Sequence, residues 1–117
     1  MTVYCLYFSS CGSCRSCAKA VADGFAGEDY EEINLTNRTQ ELPQVSTGDV
    51  LIISAPVYGG RIPAPLAQKI ERASLSGASA VAMVVYGNRA YEDALLELSD
   101  LLTKAGAVVA AGAALIA

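Results

Sequence analysis

Short apolar runs of strand length alternate along this chain with segments that carry the spacing of amphipathic helices. Three of the runs are apolar on both faces, as expected for strands buried on both sides of a sheet. They are residues 3–8, 50–56 and 79–86. Apolar residues recur every three or four positions in the helical segments, which are residues 14–25, 63–74 and 90–105. Strands that alternate with helices predict a parallel sheet with right-handed crossovers.

Two further segments complete the predicted sheet. Residues 30–34 form a second, shorter strand, and the apolar residues 107–117 form the last one. Five such strands match an α/β doubly wound parallel sheet of order 2-1-3-4-5, whose ligands bind at the carboxyl ends of the strands. The 117 residues suffice for one such unit, so we predict a single domain over residues 1–117.

The chain ends at its predicted fifth strand, lacking the final helix that a complete domain of this type carries. One face of the sheet would then be covered by the first helix alone. We expect this face to expose apolar surface of the kind that marks an interface. Truncation of the domain at its C-terminus, from a longer protein, would account for this. So would another chain or domain packed on the uncovered face, a second copy of the chain in a dimer included.

Composition narrows the chemistry that the chain can carry. It has no His, which removes the usual general base, the usual zinc ligand and any Ser-His or Cys-His pair. The net charge is −4 and Lys and Arg form no run, so we expect no nucleic-acid partner. No apolar stretch approaches the roughly 20 residues of a membrane span. All four Cys fall within the first 17 residues, which indicates a local site in a reducing, cytoplasmic compartment.

The loop after the first strand leads directly into a helix. Unpaired backbone N–H groups at a helix start bind anions, serine hydroxyls add donors, and Gly12 lets the backbone approach a phosphate closely. A plain turn with Ser13 as the N-cap is the alternative. The candidate phosphate-binding residues are Ser9, Ser10, Cys11, Gly12, Ser13 and Cys14.

The loops after the third and fourth strands combine aromatic residues with glycine. A tyrosine beside bare backbone suits a flat ring, whereas a flexible turn or, for Asn88, a helix N-cap is the alternative. The candidates are Pro56, Val57, Tyr58, Gly59 and Gly60 in one loop and Tyr86, Gly87, Asn88, Arg89 and Tyr91 in the other. All three loops leave one edge of the sheet, where they offer the phosphate cradle and two aromatic walls that flavin mononucleotide (FMN) needs.

The segments APVYGGRIPAP at 55–65 and VVYGNRAYEDALLEL at 84–98, with the strand-loop-helix start, resemble the flavodoxin-like superfamily. They are most similar to flavodoxin-type N-terminal domains fused to bacterial-type ferredoxin modules. The resemblance covers nearly the whole chain and implies non-covalent FMN that shuttles electrons between redox protein partners, among them ferredoxin modules of the same native chain. It implies an electron-transfer flavoprotein or part of an FMN-dependent oxidoreductase, so we assign no catalytic or metal-binding side chain.

The resemblance also implies a role for each loop. It places the phosphate loop at residues 9–14 and the two loops that flank the isoalloxazine ring at residues 56–60 and 86–91. In the first flanking loop, Gly59 or Gly60 is implied to let a backbone carbonyl meet the N5–H group of the reduced flavin.

Cys11 and Cys14 mark the departure from this family, whose phosphate loop reads S-x-T-G-N-T. Thiols are weaker donors than hydroxyls, so we expect FMN to bind through backbone N–H groups and serines with reduced affinity. The same pair is a C-x-x-C at a helix start, as in thiol–disulfide oxidoreductases. With Cys17 it has iron–sulfur spacing, although Cys5 lies inside a strand and no fourth ligand is evident. An interaction domain that kept the fold and lost FMN is the third alternative.

Overall fold

A computed structural model describes residues 2–8, 13–27, 29–36, 39–57, 61–86 and 92–116 of the chain. Strands and helices alternate along these residues, as predicted, except that no described helix separates the second strand from the third. In chain order they are β1 (Val3–Tyr7), α1 (Ser13–Ala26), β2 (Glu31–Asn34), β3 (Val50–Pro56), α2 (Ala64–Arg72), β4 (Ser79–Tyr86), α3 (Glu92–Lys104) and β5 (Val108–Ile116). No helix in this part of the chain is long and apolar enough to cross a membrane.

The strands form one parallel sheet of order β2-β1-β3-β4-β5, which confirms the predicted doubly wound topology. β1 lies between β2 and β3, and its Val3 pairs with Val50. A register shift between Ala80 and Val81 interrupts the ladder between β4 and β5. Because all strands run the same way, their carboxyl ends meet at a single edge of the sheet, called the carboxyl edge below.

The sheet face toward α2 and α3 is packed with aliphatic side chains. Leu51 and Ile53 of β3 share one buried cluster with Leu66 and Ile70 of α2 and with Leu98 of α3, and each is at most 1% exposed. Burial of a side chain of this size contributes roughly 2 kcal/mol. This face is therefore the main source of stability.

The opposite face is covered by α1, which contacts β1, β3 and β4. Its buried cluster combines thiols, a phenol and small helix residues, and includes Cys5, Tyr7, Cys14, Ala18, Ala22, Ile52 and Met83. Small residues at every fourth position of α1 leave room for the helix to approach the strands closely. This cluster is called the α1-side cluster below.

β5 leaves part of the α1 side uncovered. Val108 pairs with Ser79 and Ala111 with Val81, so both lie on that side of the sheet. Val108 is 65% exposed, and Ala111 is exposed as well. The expected apolar exposure of this face is confirmed, while the truncation and the dimer contact stay predictions.

Two glycines end helices. Gly27 follows α1 with a φ of 63°, and Gly106 follows α3 with a φ of 107°. Residues with a Cβ rarely adopt this left-handed region. At Gly106 a Cβ atom would also lie 2.7 Å from the Ser76 hydroxyl oxygen. Both the positive φ and this close approach therefore favour glycine in the turn before β5.

The segment between β2 and β3 is attached to the sheet and to α2 by polar contacts. Asp49 accepts hydrogen bonds from the backbone N–H groups of Ser46 at 2.8 Å and Thr2 at 2.9 Å, which lower its pKa. From α2, the buried Lys69 donates to the Gln40 carbonyl. These contacts fix a segment that has no helix or strand among its described residues.

Candidate functional site

β1, β3 and β4 are adjacent and parallel, so the loops that follow them begin side by side. Backbone hydrogen bonds hold these strand ends in line. The Phe8 N–H donates to the Ser54 carbonyl and the Val57 N–H to the Val85 carbonyl, each at 3.1 Å. The structure thereby brings the starts of the three predicted loops to the carboxyl edge.

Five predicted site residues lie in the described part of the chain. Ser13 begins α1 with Cys14 next to it, Pro56 ends β3, and Tyr86 ends β4. Val57 packs against the cluster under α2 and α3. The other candidates lie outside the described residues and stay predictions; they are Ser9, Ser10, Cys11, Gly12, Tyr58, Gly59, Gly60, Gly87, Asn88, Arg89 and Tyr91.

The start of α1 suits an anion. Its first turn contains no acidic side chain, so the helix dipole and the N-terminal N–H groups act on an anion unopposed. Ser54 lies on the same side of the sheet near the end of β3, fully buried, and its Oγ has no hydrogen-bond partner among the described residues. Buried hydroxyls normally have partners, so this position fits a group supplied by residues 9–12 or by a ligand.

The described cysteines are buried or partly buried. Cys14 is 1% exposed within the α1-side cluster, which limits access of its thiol to another sulfur. Cys5 is fully buried, and burial raises its pKa to about 11. Within the described ranges, no group of three or more Cys, Asp or Glu side chains could hold a metal ion. None of these observations favours the dithiol or the iron–sulfur alternative, both of which also require Cys11.

Glu32 of β2 gathers three donors beside the first turns of α1. Its carboxylate accepts hydrogen bonds from Arg15 Nε and the Tyr7 hydroxyl, each at 2.7 Å, and from Lys19 Nζ at 3.3 Å. Arg15 above all, with the other two donors, lowers the pKa of Glu32 to about 2. The network attaches α1 to β2 next to the predicted phosphate loop, and local sequence patterns give no sign of it.

Glu97 of α3 forms a second network that the sequence does not predict. Its carboxylate accepts hydrogen bonds from Arg61 Nη2 at 2.5 Å, from Arg61 Nε at 3.2 Å and from the Ile62 backbone N–H at 3.1 Å. Hydrogen bonding from Arg61 holds the pKa of Glu97 below its ordinary value. Arg61 directly follows residues 58–60, so Glu97 reaches the end of the first predicted ring-flanking loop.

Comparison with known sequences identifies one family. Residues 4–111 match the sequence model of a flavodoxin domain. No curated protein sequence matches the chain.

Solved structures with the same fold include three flavin proteins. The two-electron reduced flavodoxin of Megasphaera elsdenii aligns with a TM-score of 0.75 at 20% identity, over 97% of this chain and 85% of its own. A Lactobacillus acidophilus flavoprotein in complex with FMN gives 0.67 at 12% identity, over 97% and 92%. The Fusobacterium nucleatum flavodoxin bound to FMN gives 0.68 at 17% identity, over 92% and 68%. At these identities the likeness establishes a shared fold.

Proposed function

This chain belongs to the flavodoxin family, and we propose that it binds FMN at the carboxyl edge of β1, β3 and β4 and uses it to carry electrons. The observation that carries the proposal is the start of α1 at this edge, with no acid in its first turn and the buried Ser54 hydroxyl nearby. A phosphate suits both features. The FMN bound in the Lactobacillus acidophilus and Fusobacterium nucleatum proteins of this fold supports the choice of ligand.

FMN supplies one- and two-electron chemistry, and the protein binds, orients and shields it. In the proposed site, residues 9–14 hold the phosphate through backbone N–H groups and serine hydroxyls. Residues 56–60 and 86–91 flank the ring and exclude water from it. Gly59 or Gly60 gives a backbone carbonyl access to the flavin N5–H group.

The proposed partners are other redox proteins, with ferredoxin modules of the same native chain as one class. A net charge of −4 favours partners with a basic docking face. We place this exchange in the cytoplasm, because four Cys clustered within the first 17 residues suit a local site in a reducing compartment. The domain then acts as an electron carrier or as the flavin domain of an FMN-dependent oxidoreductase.

FMN uptake by the purified protein is the direct test. We expect titration of the FMN-free protein with FMN to quench flavin fluorescence with one equivalent bound. We expect riboflavin, which lacks the phosphate, to bind more weakly. Failure to take up added FMN would overturn the proposed function. If FMN binds, its reduced form should transfer electrons to an added ferredoxin, as stopped-flow absorbance can measure.

The phosphate contact is tested by a charge at residue 10. Ser10→Asp places a carboxylate in the predicted phosphate loop, so we expect FMN affinity to fall by about tenfold or more through like-charge repulsion. Riboflavin affinity should change little in the same variant, since riboflavin carries no phosphate. Equal losses for both ligands would place the phosphate elsewhere.

A further inference from the structure

Glu97 connects α3 to the residues that follow the first predicted ring-flanking loop. It lies in the second turn of α3, which begins directly after the 86–91 loop, and it holds Arg61 and Ile62, which directly follow the 56–60 loop. We propose that Glu97 is a positioning residue that fixes the second end of the 56–60 loop against α3 and so sets how that loop meets a bound flavin. The anchoring stands on the hydrogen bonds alone, whereas its effect on a flavin rests on the proposed function.

The 56–60 loop is held at both ends. At its first end the Val57 N–H donates to the Val85 carbonyl of β4 at 3.1 Å. At its second end Ile62 is 4% exposed, and its N–H donates to Glu97 Oε1 at 3.1 Å. A short segment between two anchors has few ways to absorb a change at either one. Loss of the Glu97 contact should therefore release Arg61 and Ile62 from α3.

Within this network the carboxylate contributes more to anchoring than the guanidinium does. The Glu97 side chain is 18% exposed, whereas that of Arg61 is 72% exposed. A carboxylate that accepts from a buried backbone N–H makes a strong, charge-assisted hydrogen bond, while solvent screens an exposed ion pair. The bond to the Ile62 N–H is therefore the main anchor, and Arg61 reinforces it from the surface.

The ion pair of Arg72 with Glu41 provides a matched control. It joins the same residue types through two hydrogen bonds, with Nη2 3.0 Å from Oε2. It connects the last residue of α2 to the segment between β2 and β3, and so lies far from the carboxyl edge. Its removal breaks an arginine–glutamate pair without touching either ring-flanking loop.

Hydrogen exchange of the full-length, FMN-free protein tests the anchoring. We expect Glu97→Leu to raise the backbone exchange rates of residues 57–62 by roughly tenfold, as for the loss of one hydrogen bond. Glu97→Gln keeps an acceptor for the Ile62 N–H and should raise them less, and Arg61→Lys should leave them near the parent values. Glu41→Leu should not change them. Unchanged exchange in Glu97→Leu, or in Glu97→Ala if the leucine variant does not fold, would overturn the proposal.

Flavin binding tests the consequence of the anchoring. We expect Glu97→Leu to weaken the binding of FMN and of riboflavin alike, by about threefold to tenfold, because in the proposed site this loop contacts the ring and not the phosphate. The two one-electron potentials of the bound flavin should also shift. Glu41→Leu should leave affinity and potentials unchanged. If a Glu97 variant lowers the melting temperature but leaves the flavin affinity and the potentials unchanged, the proposal is contradicted. If the parent takes up no FMN, the proposed function fails, and hydrogen exchange still decides the anchoring.

Discussion

The two faces of the sheet bury side chains of different chemistry. The face toward α2 and α3 is closed mainly by leucine, isoleucine and alanine. The face toward α1 buries thiols and the ring of Tyr7, whose hydroxyl reaches Glu32 at 2.7 Å. One face supplies most of the apolar burial, while the other holds α1 beside the proposed phosphate site through polar contacts. The same strands thus pack an aliphatic core on one side and hold, on the other, the helix whose start lies at the proposed FMN site.

β3 shows this division within three consecutive residues. Ile53 faces α2 and α3, whereas Ile52 and Ser54 face α1. The alternation of a strand places neighbouring side chains on opposite faces. A hydroxyl that lacks a partner among the described residues can therefore sit beside a tightly packed aliphatic core without disturbing it.

The largest effect on stability is expected from replacing Ile53 or Ile52, two neighbours that face opposite sides of the sheet. Both are at most 1% exposed, but Ile53→Ala opens a cavity beneath two helices, whereas Ile52→Ala opens one beneath a single helix that can settle toward the sheet. We expect the free energy of unfolding to fall by about 4 kcal/mol for Ile53→Ala and by about 2 kcal/mol for Ile52→Ala. Urea denaturation followed by circular dichroism measures both. Equal losses would show that α1 is held as rigidly as the helix pair opposite.

A smaller effect on stability is expected from removing the charge of Glu32, which holds the polar network on the α1 side. The pKa of Glu32 is about 2 in the folded protein and 4.5 ordinarily, so the folded state binds fewer protons. The resulting stabilisation is complete above pH 4.5 and is lost as the pH falls toward 2. With 28% of the Glu32 side chain exposed, screening by solvent leaves a contribution of about 1 kcal/mol. Glu32→Gln should therefore be less stable than the parent at neutral pH and nearly equal to it in acid.

Urea denaturation of the parent and Glu32→Gln at neutral pH and at two acidic values measures this difference. Glu31→Gln, one residue earlier in β2, is the control and should show a smaller difference from the parent. A gap between the parent and Glu32→Gln that is the same at every pH would contradict a role for the Glu32 charge.

The smallest effect is expected at the uncovered part of the α1 side. Val108 is 65% exposed, so Val108→Thr should change the free energy of unfolding by less than about 0.5 kcal/mol. Val109 packs against the cluster under α2 and α3, and Val109→Thr should cost about 1 kcal/mol. Thermal denaturation compares the two, and sedimentation reports the oligomeric state. A larger loss for Val108→Thr, with a fall in molecular mass, would show that a second chain covers this face.

The fold could be predicted because its signals are local in sequence. β3 and β4 are apolar over a whole strand length, and α3 repeats its apolar residues over a single helical stretch, so each is recognisable in a short window. Strands that alternate with helices form a parallel sheet, and such a sheet has few possible strand orders. Gly27 and Gly106 mark helix ends because the chain needs a positive φ there.

The carboxylate networks could not be predicted in the same way. Arg15 and Glu32 are 17 residues apart and Arg61 and Glu97 are 36 apart, and they meet only once the strands have paired and the helices have packed. Before folding, Glu97 looks like any other acidic residue on the polar side of a helix, such as Asp100. Pairing partners across such distances depend on the tertiary structure, which short-range patterns do not contain.

The pairing of Val3 with Val50 constrains the order in which the strands can pair while the chain is being synthesised. β1 and β2 are complete once residue 34 has been made, but β3 must then join on the other side of β1, and β4 and β5 follow outward in chain order. During synthesis, the nascent sheet therefore extends at one edge, and each newly added apolar strand stays unpaired on that edge until the next emerges. A translational pause before β5 would leave β4 as an unpaired apolar edge strand, to which other chains can add.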